Sequence, residues 1–103
     1  MREVLIRPRA QLDIESVYIY IAYERKEPKA AQEVLNSLYD AFDRAAEMPG
    51  LGRAFEDDDL ERSYRRMLVG CYWVYYTYDD ESVTIWRIFH VRRDIDNYTI
   101  VDL

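Results

Sequence analysis

One histidine, one cysteine and an arginine-rich second half set the limits of the chemistry this chain can do. His90 sits in the stretch FHVRRD, with Arg92 and Arg93 just after it and Asp94 and Asp96 close by. Imidazole takes up and releases protons near neutral pH, so a histidine at a strand end is a candidate general base. Arg92 and Arg93 offer planar forks for phosphate or carboxylate. The plainer reading weighs more: the histidine packs or hydrogen-bonds locally, and the arginines pair with the aspartates that follow. Tyr72, Tyr75, Tyr76 and Tyr78 crowd the stretch CYWVYYTY. Aromatic side chains on a strand can stack bases, but more often they fill a core with the hydroxyl reaching water.

Other chemistries find little support. A single His and a single Cys, far apart, are not a zinc set. The acidic run EDDDLE at 56–61 lacks the ligand spacing and the glycine of a calcium loop. The GLG at 50–52 follows a helical pattern and reads as a stop signal, not a phosphate loop. No serine stands in a nucleophile motif, so neither metal nor cofactor is expected. The net charge of −6 disfavours non-specific nucleic-acid binding. Arg62, Arg65, Arg66, Arg87, Arg92 and Arg93 still leave room for a local basic face, and only Lys26 and Lys29 represent lysine. Cys71 has no internal partner, which points to a reducing cytosol. No stretch reads as a signal peptide or a membrane span.

The elements that would position these residues follow from periodicity. Residues 3–7 read as a short strand closed by Pro8. Ala10, Ile14, Val17, Tyr18 and Ile21 line one face of an amphipathic helix, with Asp13 and Glu15 in early turns that suit acids. This helix fades near Tyr23–Glu27. Pro28 opens a second helix with Ala31, Val34, Leu35, Leu38, Phe42 and Ala45 as its buried stripe, ended by Pro49 and Gly50. Residues 50–62 carry no clean period and read as surface loop. Strands are expected at 63–68, 71–78 and 83–90, joined at Gly70 and by the polar turn 79–82. Strict alternation puts Trp86, Ile88 and His90 on one face of the last strand, opposite Ile85, Arg87 and Phe89. Both faces of the central strands are apolar, so both should be covered, one by the helices and the other by a partner. Residues 95–103 would add an edge strand or lie loosely on the surface. The 103 residues suit a single domain, 1–103, of α+β class. Its order is β-α-α-β-β-β, a helical hairpin packed on a mainly antiparallel four-stranded sheet.

In this order and spacing the chain resembles the RelE/ParE superfamily of type II toxin–antitoxin toxins, which includes plasmid stabilisation proteins. The likeness rests on Ala10, Asp13, Ile14, Val17, Tyr20 and Ile21 in the first helix, and on MPGLGR at the end of the second. It continues through Arg65 and Arg66, Gly70 and Tyr72, the VYY strand and VTIWRIFHVRRD. The resemblance implies a cytoplasmic toxin that forms a hetero-oligomer with a cognate antitoxin. RelE-like members cut messenger RNA on the ribosome without metal, and ParE-like members poison DNA gyrase. This chain has no lysine after Lys29, has Trp73 where nucleases commonly carry arginine, and is acidic at 56–61. Those departures favour the ParE-like branch and a protein that is not a catalyst. The alternative is a metal-independent endoribonuclease using His90, Arg93 and Tyr98. A second alternative is a non-toxic member that only binds its antitoxin. In each case Arg53, Arg65, Arg66, Arg87, Arg92 and Arg93 are the expected contacts for target or antitoxin.

Overall fold

The computed structural model describes residues 1–55 and 63–92. The chain begins with β1 (Glu3–Ile6) and α1 (Pro8–Ile19), which runs on into a wide π turn at Tyr20–Glu24. Then come α2 (Pro28–Glu47), a 3₁₀ turn at Pro49–Leu51, β2 (Arg53–Phe55), β3 (Tyr64–Val69), β4 (Tyr72–Tyr78) and β5 (Ser82–His90). Both helices start on proline, whose missing N–H costs nothing in the first turn. The π turn ends with Lys26 in the left-handed region at φ 56°, the conformation that closes many helices. Among the described residues no helix is long and apolar enough to cross a membrane.

The sheet order is β1-β5-β4-β3-β2. β1 lies parallel to β5, and the remaining neighbours are antiparallel. The α+β class and the helical hairpin stand as expected, with one more strand than expected. β2 falls within the stretch read as loop. Its three residues are too few to show alternation, and they form a strand because Arg53, Ala54 and Phe55 pair with Arg66, Arg65 and Tyr64. Residues 56–62 and the tail from 93 onward, including the expected edge strand, lie outside the described residues.

The helical hairpin covers one sheet face. Ala10 and Ile14 of α1 and Leu38, Ala41, Phe42, Ala45 and Ala46 of α2 meet Tyr72, Val74, Tyr76, Val83, Ile85 and Ile88. The alanines let helix and sheet backbones approach closely, and burial of this apolar surface is the main stabilising force. A second cluster, Tyr64, Tyr75, Trp86 and Phe89, packs with Phe55 and Trp73.

Strict alternation fails in β5. The register shifts between Tyr75 and Tyr76, which face Arg87 and Ile85 and leave Trp86 unopposed. An extra residue of this kind is a β-bulge and changes the phase of everything after it. Ile85 and Ile88 therefore share the helix-facing cluster, while Trp86 and Phe89 share the other. The expected grouping of Trp86 with Ile88, and of Ile85 with Phe89, is corrected by that one residue.

Candidate functional site

The register draws three of the six expected contact arginines into one cross-strand row: Arg53, Arg66, Tyr75 and Arg87. Arg66 is stacked between rings, with its guanidinium carbon 4.2 Å from the centre of Trp73 and 5.2 Å from that of Phe55. Its Nη1 donates to the Tyr75 hydroxyl at 3.4 Å. Stacking of this sort holds an arginine flat on an aromatic floor. Arg53, directly opposite Arg66 on the edge strand, is exposed.

Arg65, outside this row, and Arg87 within it brace the fold. Arg65 donates from Nε (3.0 Å) and Nη2 (2.6 Å) to the Gly52 carbonyl, and from Nη2 to that of Gly50 (3.2 Å). It thereby ties the 3₁₀ turn to the sheet. The Tyr76 hydroxyl ties the same turn from below, accepting from Gly52 N–H at 2.9 Å and donating to the Pro49 carbonyl at 2.7 Å. Arg87 is 6% exposed and grips Asp13 of α1, through Nε at 2.8 Å and Nη2 at 3.2 Å. The same carboxylate accepts the backbone N–H of Ile88 at 2.9 Å. Asp13 thus clamps α1 onto β5 just past the bulge.

His90 stands apart from this row. It pairs with Tyr72 of the helix-facing cluster, two strands across and three residues along from Arg66, so the two backbones are about 14 Å apart and the side chains leave opposite faces. Its ring meets Tyr72 edge-on at 5.4 Å. Its Nδ1 accepts the backbone N–H of Arg92 at 3.1 Å. In the neutral ring that bond leaves the proton on Nε2, so neither ring nitrogen offers a free lone pair for general-base work. Burial, and then the neighbouring Cys71, push the Tyr72 phenol above its ordinary value, so it stays protonated at physiological pH. A groove of about 760 Å³ beside His90 is lined by Tyr20, Arg25, Cys71, Tyr72 and Arg92 among others. Arg93 and Tyr98, the other two residues of the expected catalytic set, lie outside the described residues.

Sequence reasoning missed three participants. Asp13 was read as a favourable charge in an early helical turn and as part of the family likeness, but not as a partner of Arg87. Arg7 lies over the Trp86 ring at 5.1 Å, and Arg44 ends α2 beside Arg53 and Arg66. Arg44 carried a weak signal as a cation in a last helical turn. Arg7 carried none, because its partner is remote in sequence.

The fold is thus a helical hairpin on a mixed five-stranded sheet, with Arg65 bracing the turn before β2. The solved structure described as "Chromosomal ParDE TA system from P. aeruginosa" shares the fold. Its TM-score is 0.66 at 14% identity, covering 87% of this chain and 96% of that one. The family follows from sequence: residues 4–95 match the model described as "ParE toxin of type II toxin-antitoxin system, parDE". Toxin ParE1 of Mycobacterium tuberculosis, in strains CDC 1551 / Oshkosh and ATCC 25618 / H37Rv, is 32% identical over 93 residues. That alignment spans 89% of this chain and 92% of the relative. The chain belongs to the ParE toxin family and is a ParE-like toxin of a type II toxin–antitoxin system.

Proposed function

We propose that this toxin acts by binding and inhibiting DNA gyrase, and that a cognate antitoxin silences it by binding the toxin directly. The family match across residues 4–95 carries this reading. The geometry supports a binding role over a catalytic one. Arg65 and Arg87 hold backbone carbonyls and a carboxylate of the chain itself. His90 lies two strands from Arg66 and on the opposite sheet face. Cleavage of RNA through its 2′-hydroxyl needs a base and a stabilising cation at one reacting centre. The test is a supercoiling assay with purified gyrase. Supercoiling is expected to stop as toxin approaches the enzyme concentration and to recover on adding the antitoxin. Unchanged supercoiling at large toxin excess would falsify the gyrase reading.

The ribonuclease reading is favoured by one observation, the placement of His90 and Arg92 on the same groove wall. It requires codon-specific cleavage on translating ribosomes that His90→Ala abolishes. Induced expression in a cell lacking the antitoxin, with DNA-damage and translation reporters in one culture, separates the two mechanisms. Growth without either response identifies a member that only binds its antitoxin.

A further inference from the structure

The groove of about 760 Å³ beside His90 has no part in the gyrase reading. Its volume lies in the range that holds small organic molecules, about 300–1,000 Å³. One wall is apolar: Val17 of α1, Ile21 of the π turn, Val34 of α2 and Ile88 of β5. A π turn is a helix irregularity that recurs at functional sites, and here it brings Tyr20 and Ile21 into the lining. Tyr72, His90 and Arg92 stand together as the polar part of that lining. Tyr72 meets the imidazole edge-on, and the Arg92 N–H donates to its Nδ1.

The charges of the lining nearly cancel. Asp13 is matched by Arg87 at 2.8 Å, and Glu27 by Arg25 at 3.4 Å. The Arg92 guanidinium has no carboxylate partner among the described residues. His90 adds its Nε2–H, and the Tyr72 phenol keeps its proton. Arg92, imidazole N–H and phenol O–H thus form a set of donors with one net positive charge, beside an apolar wall. That combination selects a ligand with a single anionic oxygen head and an apolar body. An uncharged or cationic head would leave the guanidinium unanswered.

We propose that this groove is a binding site for a small amphiphilic carboxylate. The head accepts hydrogen bonds from Arg92 and from the His90 Nε2–H, and the acyl tail lies along Val17, Ile21, Val34 and Ile88. The inference does not depend on the gyrase reading, and it gives the toxin a small-molecule ligand of its own.

The probe is octanoate, titrated calorimetrically into the intact toxin below its micellar concentration, with octanol and octylamine as controls of equal length. Octanoate is expected to bind saturably, roughly tenfold more tightly than octanol, and octylamine not to bind. Shortening the chain to hexanoate should weaken binding on the order of tenfold, since two methylenes leave the apolar wall. Arg92 is exposed, so Arg92→Gln should fold normally and bind octanoate roughly tenfold more weakly, while Arg92→Lys keeps most of the affinity. Methyl NMR of the unaltered chain is the second measurement and needs no variant. Octanoate should shift the methyl signals of Val17, Val34 and Ile88. No saturable binding, equal binding of octanol, or an unaffected Arg92→Gln overturns the proposal. So do shifts confined to Leu12 and Ile19 on the exposed side of α1, which would mean adsorption to the surface.

Discussion

A single methyl group separates the two glycines of the turn before β2. A Cβ on Gly50 would meet nothing within 4 Å. One on Gly52 would lie 2.6 Å from the Tyr76 hydroxyl and 2.7 Å from the Arg66 carbonyl oxygen. Neither can retreat easily, because the hydroxyl is held by Pro49 and the carbonyl belongs to the sheet. Gly52→Ala is therefore expected to cost about 2 kcal/mol in urea unfolding, with Gly50→Ala close to wild type. In the sequence the pair read only as a helix stop, since Tyr76 is far downstream and nothing local names it. Asp79 gives the pH-dependent case. Its carboxylate accepts the backbone N–H groups of Glu81 and Ser82, each at 2.8 Å, and the Ser82 hydroxyl at 3.2 Å. These bonds lower its pKa below the ordinary carboxylate range. A lowered folded-state value means that the stabilisation is in place above about pH 4 and disappears as pH falls through that value. An NMR titration of the Asp79 carboxyl should show a lower midpoint in the folded protein than in a peptide of residues 77–84. The polar turn was legible because Asp and Ser hydrogen-bond locally.

Between elements, the clamp of α1 on β5 is the most exacting contact. Asp13 and Arg87 are nearly buried, at 14% and 7% side-chain exposure, and meet at 2.8 Å. Removing one partner leaves the other charged and desolvated. Asp13→Leu is expected to lose roughly 3–5 kcal/mol, and Asp13→Leu/Arg87→Met to recover a large part of it. Denaturant unfolding of the two single variants and the double variant measures the coupling. A double variant no better than the worse single one would mean that the pair does not act as a unit. Both helices were legible because their stripes repeat with helical period, and β4 and β5 because β-branched and aromatic residues run together. The bulge was not, because an inserted residue leaves the composition of a strand unchanged and alters only its phase. Arg87 was expected among the partner contacts from its charge alone, because its carboxylate Asp13 stands 74 residues away in sequence.

Taken whole, the molecule is acidic, while Arg65, Arg66 and Arg87 are held locally by carbonyls, rings and a carboxylate. Its long-range field repels a phosphate backbone. Binding to gyrase is therefore expected to persist at moderate salt, and labelled duplex DNA alone to show no anisotropy change with toxin at low salt. Saturable DNA binding would move the site of action away from the gyrase protein surface. The layer structure was readable from the order of periodic segments, and the mainly antiparallel sheet from short connections. The sheet order was not: alternation says which face a residue takes, but not which strand lies beside it. That both faces of the central strands are apolar did follow from sequence, and the two clusters, around Phe42 and around Tyr75, bear it out.

The parallel pairing of β1 with β5 has a consequence for synthesis. Glu3 meets Ser82, and among the described residues no other strand lies beside β1. The ribosome must make the whole intervening chain before β1 can take its place, which takes on the order of 10 s. During that interval the nascent chain lacks one border of its sheet and the contacts β1 gives to α2. Truncated or stalled translation products would share that defect. The sheet thus gains its β1 border only once β5 has left the ribosome, so the fold closes late in the synthesis of these strands.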